Sequence, residues 1–268
     1  MSELASDPWG PPPRLIGLDI DGTIMNGFSS VSDRVVAGVR AAVAGGAHVV
    51  LATGRPVAST LPVLEQLGLT EGNVLCSNGA VRMDVASGEF LSLHRFDAAP
   101  VVRQLRALLP GALFAVELPG AHNLVTGTFP VSEAAADLVV DHRTLVAGPV
   151  TRLTVYWDGH TAAELVERIR AARLPEISYL VAPVDAWLIA VSSGISKGLA
   201  LEALRVELGV AADATLAVGD GDNDLEMLRW AALGVAMGQA PDTVKAAAHE
   251  VTGSVEDDGL ADILERWF

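Results

Sequence analysis

Leu15-Ile16-Gly17-Leu18-Asp19-Ile20-Asp21-Gly22-Thr23 is the stretch on which the reading of the fold turns. Leu15 to Leu18 is a short unbroken apolar run, the pattern of a parallel strand covered on both faces. Two carboxylates follow at i and i+2, and then Gly22. Strand geometry puts Asp19 and Asp21 on one face, a few ångströms apart. Like charges that close at the end of a buried strand are costly unless a proton or a cation compensates them. A hard, oxygen-seeking cation such as Mg2+ would do so. A surface Asp-Gly turn carries the same letters, but the apolar run in front weighs against it.

Outward from this stretch, the chain alternates. A loop from Gly22 to Val31 leads to Ser32, an N-cap for a helix through Ala44 that Gly45-Gly46 ends. Ala47 to Ala52 is a second apolar strand, closing in Thr53-Gly54-Arg55-Pro56. Pro56 can open a helix, here to Leu67. Val74 to Ser77 is a third strand, closing in Asn78-Gly79. Strand, helix, strand, helix, strand is the order of a doubly wound α/β parallel sheet, whose ligands bind at the C-terminal strand edges.

From about Arg82 to Ala190 the texture changes. Helices are expected near Ala98 to Leu109, Ser132 to Val140 and Thr161 to Ala172. Strands are expected at Leu113 to Leu118, Arg152 to Trp157, Ser178 to Val181 and Ala186 to Val191. Their polar alternation suits a sheet with one solvated face, and so an inserted α+β unit. The α/β texture then resumes with a helix from Ser196 to Leu208 and a strand from Ala214 to Val218. After Gly219-Asp220-Gly221-Asp222-Asn223-Asp224 come a helix through Ala231, a strand Leu233 to Ala236, and helices at Pro241 to Ala248 and Leu260 to Trp267. The expected division is a flexible arm over residues 1–13, a core from 14–82 and 191–268, and an insertion over 83–190.

Half of the 268 residues are hydrophobic and the formal net charge is −15. That balance argues against nucleic acid or an acidic membrane surface as a partner, but not against a small anionic substrate drawn by a local cation. The single cysteine, Cys76, excludes an intrachain disulfide and fits a reducing compartment. No basic-then-apolar leader opens the chain, and no apolar run approaches the roughly 20 residues that span a bilayer. A cytoplasmic protein is expected.

Two acidic clusters at the ends of buried-looking strands are harder to dismiss as solvated loops than either alone. The glycines of the second do not make a dinucleotide loop, because the window from Gly219 ends in Asp224 and its carboxylates would repel a pyrophosphate. Lys197 sits in the first turn of a helix, where the macrodipole disfavours a cation. It is either a solvated lysine or a cation aimed at a phosphate and a carboxylate. Thr53 offers a hydroxyl and Gly54 an accessible amide, or both belong to an ordinary turn.

Together these pieces resemble the haloacid dehalogenase-like superfamily of phosphotransferases. Asp19-Ile20-Asp21-Gly22-Thr23 matches its nucleophile motif, Leu51-Ala52-Thr53-Gly54-Arg55 its second, Ile195-Ser196-Lys197-Gly198 its third and Gly219 to Asp224 its fourth. Ser77-Asn78-Gly79-Ala80, with an insertion between the second and third motifs, looks like the Cof-type branch with a type IIB cap. The resemblance implies a Mg2+-dependent phosphatase acting on small phosphomonoesters, foremost sugar phosphates, through an aspartyl-phosphate. It makes Asp19 the nucleophile and Asp21 the acid/base. Mg2+ would be held by the Asp19 side chain, the Asp21 carbonyl and Asp220, with Asp224 and Asn223 as ligands or as support. Thr53, Gly54 and Lys197 would bind the phosphoryl group, and Arg55 and Asn78 would join them or orient the loops. Gln239, in Met237-Gly238-Gln239-Ala240, departs from the Asn usual in the branch. In the cap, Glu117 and His122 lie where substrate-reading residues fall, but neither is assigned a role. A phosphomutase or phosphoglycosyl-type phosphatase of the same cap class, or a phosphosugar-binding regulator without turnover, are the alternatives. Oligomeric state is left open.

Overall fold

In the computed structural model, which describes residues 10–26, 30–119, 123–130, 137–174, 176–182 and 185–268, the run Leu15–Leu18 is strand β1, buried throughout. In chain order follow α1 (Asp33–Ala44), β2 (His48–Ala52), α2 (Val57–Leu67), β3 (Asn73–Cys76), β4 (Val81–Asp84) and β5 (Phe90–Leu93). Then come α3 (Ala99–Leu108), β6 (Leu113–Val116), β7 (Asn123–Val125), β8 (Asp137–Val139), α4 (His142–Leu145), β9 (Leu153–Thr161), α5 (Ala162–Ile169), β10 (Ile177–Val181) and β11 (Asp185–Ser192). The chain closes with α6 (Lys197–Glu207), β12 (Thr215–Gly219), α7 (Leu225–Trp230), β13 (Leu233–Ala236), α8 (Asp242–Lys245), β14 (Glu250–Val251) and α9 (Gly259–Leu264).

The core sheet runs β14-β13-β12-β1-β2-β3-β4-β5. It is parallel from β14 to β3, and β4 and β5 add antiparallel. Successive residues leave a strand on opposite faces, and both faces are apolar. Ile16, Leu18, Leu51, Leu216 and Val218 pack with Val39 and Leu67 of α1 and α2 and with Ile263 of α9. Leu15, Val50, Ala52 and Ala217 pack with Leu201 of α6 and Met227 and Leu228 of α7 on the other side. This is the doubly wound core that the apolar runs imply. The strand order reverses between β2 and β12, on either side of β1, which is where such sheets bind ligands.

The inserted sheet runs β10-β11-β9-β6-β7-β8, antiparallel except for β7 with β8. One face, through Phe114, Leu153, Val155 and Leu188, packs with Leu105 of α3 and Leu165 of α5. The other carries the polar alternation. It is not simply the solvated face that the pattern suggests, because Arg152 and Thr154 are 3% and 5% exposed. Polar residues there line an interface and a cavity rather than bulk water.

The expected helix from Ser132 to Val140 is corrected in part. Residues 137–139 are strand β8, whose backbone is taken up by β7, while 131–136 lie outside the described residues, as do 1–9 of the expected arm and His122. β4 and β5 escape the sequence reading because they are short antiparallel additions without the unbroken apolar run of the parallel strands, with a register shift between them. We propose that the insertion starts after β5, since β4, which contains residue 83, pairs with β3. Among the described residues no helix is long and apolar enough to cross a membrane. Leu216, fully buried under α1 and α9, tests the core. Leu216→Ala should lower unfolding stability in urea by about 2–5 kcal/mol, and a loss below about 0.5 kcal/mol, as at a surface position, would contradict this packing.

Candidate active site

Asp19 leaves the end of β1 with its backbone N–H on the Val218 carbonyl of β12, so the two neighbouring parallel strands set its position. The residue is only 5% exposed. Lys197 opens α6, whose N-cap Ser196 accepts the Leu199 N–H through its hydroxyl. Gly198 lets α6 approach α7, for a Cβ there would lie 2.9 Å from the Glu226 backbone. The Lys197 ammonium, fully buried, donates to Asp19 Oδ1 at 2.5 Å and to Asp224 Oδ1 at 2.6 Å. The macrodipole cost of a cation at this helix start is a few tenths of a kcal/mol, far smaller than the cost of leaving two buried carboxylates unpaired.

Asp224 uses its second oxygen on the backbone N–H groups of Asp220 and Gly221, at 3.0 and 2.9 Å. It thus shapes the loop that presents Asp220. Gln239 donates to the Gly22 carbonyl at 2.6 Å and to Asp220 Oδ2 at 3.3 Å, and accepts the Val255 N–H. The long side chain at this departure from the branch pattern thereby ties the two acidic loops together. Gly22 cannot carry a side chain, since its φ is +82° and a Cβ would collide with the Asp220 carboxylate.

Asp21 is held differently. Its carboxylate is gripped by Arg55, with Nη2 on Oδ1 at 2.5 Å and Nε on Oδ2 at 2.8 Å. The Asp21 side chain stays half exposed. Thr53 is fully buried, and its hydroxyl oxygen accepts the Arg55 N–H at 3.0 Å. Asn78 sits beside Gly54 and accepts from Asn223 Nδ2 at 3.0 Å. Asn223 and Asn78 therefore join two strand ends, and Arg55 is spent on Asp21.

Asp19, Asp220 and Asp224 each place a carboxylate oxygen within 4.8 Å of the others. Their negative charge exceeds what one lysine neutralises, and the donors are all hard oxygens, so the residues present fit a cation such as Mg2+. The electrostatics agree. Burial drives the Asp19 carboxyl well above its usual range, Lys197 pulls it back and Asp224 pushes it up again. Burial opposes the charge on Lys197, but Asp19 and Asp224 outweigh it and raise its pKa. Burial, then Asp224, push Asp220 up to about 6, with the Gln239 bond working against them. Cys76 is buried and its thiol is pushed up to about 12, chiefly by burial, so it is no nucleophile at neutral pH.

The sequence reading missed two contributors. In the sequence Gln239 reads as a departure from the branch pattern, not as a bridge between Gly22 and Asp220. Glu117 has no role assigned from the sequence, and only the fold carries it from the insertion to Val57 and Ser77 of the core.

Known proteins resemble this chain in sequence and fold. The sequence model of the haloacid dehalogenase-like hydrolases matches residues 16–110 and 143–264. The 5-amino-6-(5-phospho-D-ribitylamino)uracil phosphatase YitU of Bacillus subtilis (strain 168) is 28% identical, the match covering 96% of this chain and 98% of that protein. The crystal structure of a haloacid dehalogenase-like hydrolase from Bacteroides thetaiotaomicron superposes with a TM-score of 0.81 at 27% identity, covering 96% of this chain and all of the other. The subclass IIB sugar phosphatase BT4131 gives a TM-score of 0.79 at 25% identity, covering 94% and 98% of the two chains.

The raised pKa of Asp220 has a signed consequence. The folded protein keeps this proton to about pH 6 whereas the ordinary value is 3.8, so between those values the folded state binds more protons than the unfolded one. This group therefore makes the metal-free protein less stable as pH rises through that window. A divalent cation needs the carboxylates ionised. The rise in Tm on adding Mg2+ should be larger at about pH 7.5 than at about pH 5, and an equal or larger rise at the lower pH would contradict the assignment.

Proposed function

The chain belongs to the haloacid dehalogenase-like hydrolases and is a phosphatase, and we propose that it hydrolyses small phosphomonoesters, foremost sugar phosphates, through an aspartyl-phosphate on Asp19. The observation that carries this reading is Lys197, buried between Asp19 and Asp224 with Asp220 alongside, at the switch point of the parallel sheet. A pure binding protein has no need for both a nucleophilic carboxylate and an acid/base. The substrate class rests on relatives that act on a phosphorylated ribityl compound and on sugar phosphates.

Asp19 attacks phosphorus, forming a bond from its carboxylate oxygen as the bond to the leaving alcohol oxygen breaks. Asp21, entering as the acid, gives that oxygen a proton, then takes one from the water that attacks the phosphoenzyme, so inorganic phosphate leaves, the Asp19 carboxylate is restored and Asp21 is again the acid. In the structure Arg55 holds the Asp21 side chain with two hydrogen bonds. Lys197, the Thr53 hydroxyl and the Gly54 amide provide donors for the phosphoryl oxygens, and Asn78 with Asn223 keeps the Gly54 loop in register. Asp19 and Asp220, with the Asp21 carbonyl, would hold Mg2+, while Asp224 is occupied by Lys197 and two amides. The ion, when bound, offsets charge on the phosphoryl group. The buried free thiol of Cys76 supports a reducing, cytoplasmic setting.

With p-nitrophenyl phosphate and Mg2+, turnover should appear and EDTA should remove it. Asp19→Asn should abolish turnover without unfolding the protein, and an active variant would remove Asp19 as the nucleophile. Asp21→Asn should slow hydrolysis about 10²–10⁴-fold while a phosphate analogue still binds, so an unchanged rate would sink its acid/base role. A screen of phosphorylated metabolites ranked by kcat/KM should place sugar phosphates first.

A further inference from the structure

One carboxylate of the inserted unit is delivered out of it. Glu117 follows β6 and is 5% exposed. Its Oε1 accepts the Val57 N–H at 3.2 Å, and its Oε2 accepts the hydroxyls of Ser77 at 2.5 Å and Thr151 at 3.1 Å. Thr151 belongs to the insertion, but Val57 and Ser77 belong to the core. Val57 opens α2 directly after Thr53-Gly54-Arg55-Pro56, and Ser77 opens the turn that holds Asn78.

Neither core element is self-sufficient. The N-cap of α2 is Pro56, which gives no side-chain cap. A carboxylate on the first free amides of a helix supplies the missing acceptor and suits the macrodipole. Ser77 and Asn78 both have left-handed backbone, with φ of 50° and 56°. Such geometry costs a residue other than glycine on the order of 1–3 kcal/mol, and persists only where surrounding contacts enforce it. Here the Ser77 N–H binds the Arg55 carbonyl and the Asn78 N–H binds the Thr53 carbonyl, each at 2.8 Å. The Ser77 hydroxyl on Glu117 is the contact that comes from the insertion.

Seating of the insertion and the shape of both phosphate-side loops are thus linked through one side chain. If the insertion moved away, α2 would lose its cap and Ser77 its acceptor, while the Glu117 carboxylate would keep, among the described residues, its bond from Thr151. Arg152 lines the same cavity as Glu117 and is 3% exposed, so the buried negative charge also has a cation in its surroundings.

We propose that Glu117 is a positioning residue for the phosphatase: a latch from the cap that fixes the Thr53–Arg55 and Ser77–Asn78 loops only when the cap is seated, a role that rests on the reading of the site given above. Glu117→Gln keeps the shape but replaces one of the two acceptor oxygens with a donor. With p-nitrophenyl phosphate it should lower kcat about 10- to 100-fold, the scale of a small misplacement of reacting groups, and leave KM within about threefold. Hydrogen exchange should quicken in peptides covering 53–60 and 76–80 and stay unchanged in β1 and β12. Ser77→Ala, which removes a donor from the core side, should reproduce both effects, and the double variant should be no worse than the poorer single one. Wild-type kcat in Glu117→Gln, unchanged exchange in the two loops, or fully additive losses would each overturn the latch. An inactive wild-type protein would instead sink the catalytic reading, and the exchange data would then decide for or against the latch on their own.

Discussion

A lysine ammonium with no exposure to water, shared between two aspartates from different ends of the chain, is the interaction on which the site depends. Lys197, Asp19 and Asp224 can be buried together only because each neutralises part of the others. Remove the lysine and two carboxylates face each other in a low-dielectric interior, at a cost of several kcal/mol. Keep it, and the cluster still has negative charge to spare once Asp220 is included. That surplus, carried by hard oxygen donors, fits a hard dication.

The sheet turns this electrostatic problem into a geometric one. β1 and β12 are adjacent and parallel, so their C-terminal ends bring Asp19 and Asp220 to one edge although some 200 residues separate them in the chain. α6 runs back across the face through Leu201 and Leu204, which leaves its first residue at that same edge. Apolar packing therefore aims the charged groups. Gly22 and Gly198 are the places where this aiming requires a missing side chain, one for the Asp220 carboxylate and one for the α7 backbone.

Around that centre lies a layer of residues whose work is to hold others. Arg55 holds Asp21, Gln239 holds Asp220 to the Gly22 carbonyl, and Asn223 holds Asn78. These contacts link loops that follow β1, β2, β3, β12 and β13. A phosphotransfer site needs this stiffness, because most of its catalytic effect comes from positioning and fixed charge.

The amino-acid sequence by itself determined the elements of the parallel core and the residues gathered at its edge. Buried parallel strands must be apolar along their whole length, and acidic or small residues must follow them at the ligand edge, so Leu15–Thr23, Leu51–Arg55, Ile195–Gly198 and Gly219–Asp224 can be read locally. Short edge-side strands such as β4, β5 and β8 could not be read so, because their three or four residues owe their conformation to the neighbour they pair with. Only the tertiary structure decided which partner each side chain meets. That Arg55 closes on Asp21, that Gln239 spans two loops and that Glu117 crosses from the insertion to α2 all depend on distances through space. A single chain of letters records no such distances, since hydrogen bonds of this kind join residues whose separation in sequence bears no relation to their separation in the fold.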